Sequence, residues 1–212
     1  MIFHHLRSIF FVCLMCIATF AQAETLKIVV FGDSLTAGFG LERSQGFVPQ
    51  LQAKLVAEGY DVELINAGVS GDTTSGGRSR LDWSVGPEAD GVILELGAND
   101  MLRGLPLKAS RDNLDAMMTN LTERKLPVLI AGMKAAPNMG KEYSNEFNSI
   151  YPDLAKKYDT LLYPFFLQGV AGDSSLNLPD GMHPTHEGVA VIVENILPSV
   201  KELIERATAK EG

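Results

Sequence analysis

Ser34, His183 and Asp180 are the residues of this chain whose types and spacing suit nucleophilic chemistry. The four histidines are His4, His5, His183 and His186, and the first two lie in an apolar leader, so a histidine base must come from the last pair. Asp180 stands three residues before His183 in Asp180-Gly181-Met182-His183-Pro184. That is close enough, within one turn, to orient an imidazole and stabilise its protonated form. Ser34 follows a glycine turn in Gly32-Asp33-Ser34-Leu35, which would present its hydroxyl at the start of a helix. Two further segments supply donors for a developing oxyanion. Ala67-Gly68-Val69-Ser70-Gly71 offers a flexible backbone, and Gly97-Ala98-Asn99-Asp100 offers a carboxamide. The backbone N–H groups of Ser34 and Gly71 and the side-chain amide of Asn99 are therefore the candidate oxyanion donors. A hydroxyl, a base, an orienting carboxylate and preorganised donors are together what acyl transfer requires.

Each residue also has a plainer role. Ser34 could cap the helix it precedes, Asn99 could brace a turn, and Gly71 could be glycine because the backbone needs positive φ. Asp33, Asp72 and Asp100 read as caps or loop braces. His183 and His186 suggest a metal pair with Asp180 or Asp173, but no cysteine or further histidine outside the leader completes a ligand set. No metal is expected. Gly38-Phe39-Gly40 does not extend to a dinucleotide-binding pattern and no phosphate loop is present, so no cofactor is expected.

Five apolar runs, at 26–31, 62–66, 92–96, 128–132 and 161–163, are expected strands. Several are continuously apolar, as in strands covered on both faces. Helical stripes lie between them: Phe47, Leu51 and Leu55; Leu114, Met117, Met118 and Leu121; Tyr143, Phe147, Ile150, Tyr151 and Leu154. A last helix should start near Thr185 and carry Val189, Ile192, Val193, Ile196 and Leu197, with Pro198 kinking or interrupting it. Alternating strands and helices predict an α/β fold with a parallel sheet between two helical layers. Each chemical segment falls just after a strand, at the sheet edge where such folds place their sites.

The leader has its own reading. Residues 1–7 carry Arg7, His4 and His5 and no acid, a dozen apolar residues follow, and Ala21-Gln22-Ala23 closes the segment. That is the layout of a signal peptide cleaved after Ala23, and it is shorter than the roughly 20 apolar residues of a bilayer span. The expectation is a signal peptide over 1–23, one domain over 24–212, and a periplasmic or secreted protein with no integral membrane segment after cleavage. Both cysteines, Cys13 and Cys16, belong to the leader, which removes disulfide and thiol chemistry from the rest. The net charge of −8 without a basic face excludes nucleic acid as a partner.

The four segments, in order, resemble the blocks of the SGNH (GDSL-type) hydrolase family: Ser34, Gly71, Asn99 and His183 stand for the four letters. The stretch from Tyr143 to Phe166 adds to the likeness. The resemblance implies a flavodoxin-like three-layer fold with strand order 2-1-3-4-5, a triad of Ser34, Asp180 and His183, and an oxyanion hole of Ser34, Gly71 and Asn99. It implies action on a small-molecule acyl ester or thioester, such as aryl esters, acyl thioesters and lysophospholipids; a monomer is expected. A carbohydrate O-acetylesterase and a non-catalytic lipid- or glycan-binding module are the alternatives. Leu102, Leu105, Met139, Phe165, Phe166, Leu176 and Leu178 are candidates for an acyl groove, with core packing an equal explanation for several, and Trp83 for packing or a pocket rim.

Overall fold

The computed structural model describes residues 25–211; the signal peptide expected over 1–23 lies outside them. Five parallel strands form one sheet: β1 (Leu26–Gly32), β2 (Val62–Gly68), β3 (Gly91–Glu95), β4 (Val128–Ala131) and β5 (Leu161–Tyr163), in the spatial order β2-β1-β3-β4-β5. This is the expected order, and the strand ends differ from the expected ones by one or two residues. Every residue of β3 and β4 is buried, whereas the edge strand β2 exposes Glu63. Central strands covered by helices on both faces have no solvent side, so their sequence need not alternate.

The helices are α1 (Ser34–Ala37), α2 (Phe47–Ala57), α3 (Thr74–Ser84), α4 (Ala98–Leu102), α5 (Leu107–Glu123), α6 (Lys141–Tyr158) and α7 (His186–Glu211). α2 packs with α7 on one face, and α3, α5 and α6 pack in series on the other. The crossover from β1 and the crossover from β3 thus leave to opposite faces, opening a crevice between the carboxyl ends of those strands. Register makes the crevice tight. Gly32 of β1 lies beside Gly68 of β2 and Glu95 of β3, so three loops leave the sheet at one level.

Two expectations are corrected. Pro198 does not interrupt the last helix, which runs unbroken to Glu211. Ile196, Leu197, Val200 and Leu203 are all buried around it, and that packing outweighs the one backbone donor a proline removes. Trp83 neither packs nor lines the site; it is 81% exposed on α3. α3 itself has no clear apolar stripe, since only Thr74, Gly77 and Leu81 are buried along it. Its start is held by polar contacts instead: Thr73 caps it, and Asp100 accepts from Thr74 N at 2.8 Å and from Thr74 Oγ1 at 2.6 Å.

Candidate active site

β1 delivers Ser34. Asp33 caps the single turn of α1 by accepting from Leu35 N at 3.0 Å, and Gly38 closes that turn in the left-handed region. The approach is close: a Cβ on Gly32 would lie 2.5–2.6 Å from Glu95 O, Glu95 Oε2 and Thr36 Oγ1, so only glycine fits there. Arg80, reaching from α3, donates to Gly32 O at 2.9 Å and to Ala67 O at 2.8 Å, and pairs with Asp72 at 2.7 Å. One guanidinium thereby joins the ends of β1 and β2 to the loop that carries Gly71.

The loop before α7 delivers Asp180 and His183. Asp180 Oδ1 accepts from Met182 N at 2.9 Å and His183 N at 3.0 Å, while Oδ2 lies 2.7 Å from His183 Nδ1. The two backbone N–H groups, and then the imidazole, hold the Asp180 carboxyl down at about 2. An ionised carboxylate only accepts, so Nδ1 of His183 carries the proton and Nε2 is left to accept. Nε2 lies 2.9 Å from Ser34 Oγ, within reach for the hydroxyl to donate to it. The Phe39 ring, half exposed, covers the imidazole with centroids 4.4 Å apart.

Ser34, Asn99 and His183 open onto one cavity of about 400 Å³. Its walls are chiefly apolar, with Met101, Leu102, Met133, Phe165, Leu167 and Met182 among them, and Lys134 stands beside Phe165 at 5.3 Å from the ring centroid. Of the seven nominated groove residues, Leu102 and Phe165 line this cavity and Leu105, Met139, Phe166, Leu176 and Leu178 do not. Phe166 is fully buried in the core, with its ring edge-on to Phe47. Met101 and Met133 escaped notice because their spacing resembles that of any buried residue next to a strand end.

Gly71 does not line the cavity. It adopts φ 81°, and its carbonyl accepts from Arg103 Nη2 at 2.7 Å. Asn99 donates through Nδ2 to Asp33 Oδ2 at 3.1 Å. Asp33 and Asp100 are buried braces, as expected, and Asp72 is held by Arg80. His186 sits exposed beside Glu187 and takes no part in the cluster. Sequence reading missed Glu95, fully buried against Asp33 N. A lone acid ending the apolar run Gly91-Val92-Ile93-Leu94 was the available signal.

A hydroxyl, imidazole and carboxylate in hydrogen-bonded series, at the crevice of a doubly wound parallel sheet and facing an apolar cavity, define a hydrolase site of the acyl-transfer type. The chain belongs to the GDSL-like lipase/acylhydrolase family, whose model matches residues 30–191. It is 38% identical over 193 residues to the esterase TesA of Pseudomonas aeruginosa, covering 91% of this chain and 96% of that one. It is 29% identical over 201 residues to the thioesterase 1/protease 1/lysophospholipase L1 of Escherichia coli K12, covering 94% and 93%. Among solved structures it resembles AlinE4, an SGNH-hydrolase family esterase, with TM-score 0.72 and 42% identity over 86% of this chain and 98% of that one.

Proposed function

We propose that this protein is a serine hydrolase of acyl esters and thioesters, exported to the periplasm or medium and active as a monomer, with Ser34 as nucleophile. The observation that carries this reading is the unbroken series Ser34 Oγ, His183 Nε2, His183 Nδ1, Asp180 Oδ2 at the mouth of an apolar cavity. His183 takes the Ser34 proton as Oγ attacks the acyl carbonyl and returns it to the leaving alcohol or thiol. Water then attacks the acyl-enzyme with His183 again as base. Asp180 holds the imidazole in the required tautomer, and the N–H groups of Ser34 and Gly71 with the Asn99 amide serve the oxyanion. Export rests on residues 1–23 of the sequence; among the described residues no helix is long and apolar enough to cross a membrane.

The cavity favours a medium or long acyl chain over acetyl. Each methylene taken from water contributes about 0.8 kcal/mol, roughly fourfold in kcat/KM. Hydrolysis of p-nitrophenyl acetate, butyrate, octanoate and palmitate should therefore show kcat/KM rising from acetate towards octanoate. A maximum at acetate would move the carbohydrate O-acetylesterase reading ahead, and failure of Ser34 to label with a fluorophosphonate would leave the binding-module reading.

The pH dependence follows from two groups. His183 must be neutral to accept the proton, so kcat/KM should fall when acid protonates it. Burial raises the Asp33 carboxyl to about 6, against the opposing hydrogen bonds from Leu35, Glu95 and Asn99. Acidification therefore adds a second proton at the carboxylate that holds Asn99. Both protons lower activity, and the acid limb should be steeper than a single ionisation allows; Asp180, at about 2, adds nothing in that range. A flat profile would remove His183 as the base.

A further inference from the structure

Beneath the nucleophile lies a pair of acids that the proposed reaction does not use directly. Asp33 and Glu95 are both fully buried. Asp33 N donates to Glu95 Oε2 at 3.3 Å, and Glu95 Oε1 has no hydrogen-bond partner. Asp33 spends Oδ1 on Leu35 N and Oδ2 on the Asn99 amide. Each element packed around the pair has its polar groups engaged elsewhere. Arg80 of α3 binds Asp72 and the carbonyls of Gly32 and Ala67. Asp100 of α4 binds Thr74 and Ser110. Tyr151 of α6 donates to Leu96 O at 3.0 Å. His183, across the cavity, is joined to Ser34 and Asp180. Among the described residues, no cation forms an ion pair with either member of the pair.

Two carboxyls buried beside one another and linked through the Asp33 N–H, out of water and without a cation, cannot both be ionised, so one holds a proton. Resting on the acyl-transfer reading above, we propose that Glu95 is the protonated member and a positioning residue: its hydroxyl donates to the Asp33 carboxylate. Asp33 in turn holds one N–H of Asn99, leaving the other N–H for the oxyanion. The division of labour follows from the surroundings. Asp33 has two donors besides Glu95 that favour its charge, Leu35 N and the Asn99 amide, and is raised only to about 6. Glu95 is pushed well above the usual carboxylate range, first by burial and then by the charge on Asp33. The otherwise unpartnered Oε1 is the atom that would carry the proton. Gly32 is part of the same device, because a side chain there would collide with Glu95 Oε2 and displace its carboxyl.

The test compares Glu95→Gln with Glu95→Leu in the full protein. Gln keeps the shape, an N–H for Asp33 and a carbonyl for Asp33 N, so its kcat should stay within about threefold of the parent. Leu leaves Asp33 without that donor, and kcat should fall by about 100-fold, the order expected for misplacing a reacting group by an ångström. KM should change little, because the acyl cavity is untouched. Infrared spectra at neutral pH should show the carbonyl stretch of a buried protonated carboxyl in the parent that disappears in Glu95→Gln. No such band, a Gln variant as impaired as Leu, or a loss confined to KM would overturn the proposal. Should Glu95→Leu not fold, the Gln variant and the infrared band still decide it. A parent that neither hydrolyses esters nor labels with fluorophosphonate would instead sink the acyl-transfer reading, whatever the band shows.

Discussion

Ser34→Ala is expected to lower kcat for p-nitrophenyl ester hydrolysis by about 10⁴–10⁶-fold, the range seen when a nucleophile is removed from a hydrogen-bonded triad. The magnitude follows from geometry. Oγ lies 2.9 Å from the only imidazole near the cavity, and no other hydroxyl or thiol lines it among the described residues. Ser34 is the first residue of α1, and the cap is made by Asp33, so removing Oγ leaves the turn intact. The melting temperature should therefore hardly move while activity disappears. Because the members act as a unit, Ser34→Ala combined with His183→Ala should be no worse than either alone. A Ser34→Ala protein retaining a tenth of its activity would end the serine mechanism.

Asp180→Asn is expected to cost about 10³–10⁴-fold in kcat, approaching the loss known for the corresponding change in a buried triad. The discount reflects solvent: the Asp180 side chain is 32% exposed, and water partly replaces what it supplies. An asparagine can still accept from Met182 N and His183 N through one oxygen, so the loop should survive. Its amide would then face His183 Nδ1 as a donor and force the proton onto Nε2, pointing a donor at Ser34 Oγ. The base is present but in the wrong tautomer. Substrate binding should be little affected, so the loss should appear in kcat and be partly relieved at high pH, where hydroxide can bypass the base. A rise in KM as large as the fall in kcat would instead show a collapsed loop.

Hydropathy and spacing along the chain were enough to specify the parallel sheet, its order of elements and the four segments that meet at its carboxyl edge. Local physics dominates there. Continuously apolar runs such as Gly91-Val92-Ile93-Leu94 have no stable place except between two helical layers, and Asp180 reaches His183 within one turn. Elements held by polar or long-range contacts were not legible. α3 has a weak apolar face and depends on Asp100 to anchor Thr74, and α7 continues through Pro198 because buried neighbours hold it. The cavity lining was not legible, since whether Phe166 points to the core or Phe165 to the site depends on a single residue of register after β5. Tertiary structure alone decided the Asp33–Glu95 contact, the Arg80 clamp and the distance from Ser34 to His183. Those residues are separated by 62, 48 and 149 positions. No periodicity carries information over such spans; only the closing of the sheet, which sets Gly32 beside Glu95, brings them into contact.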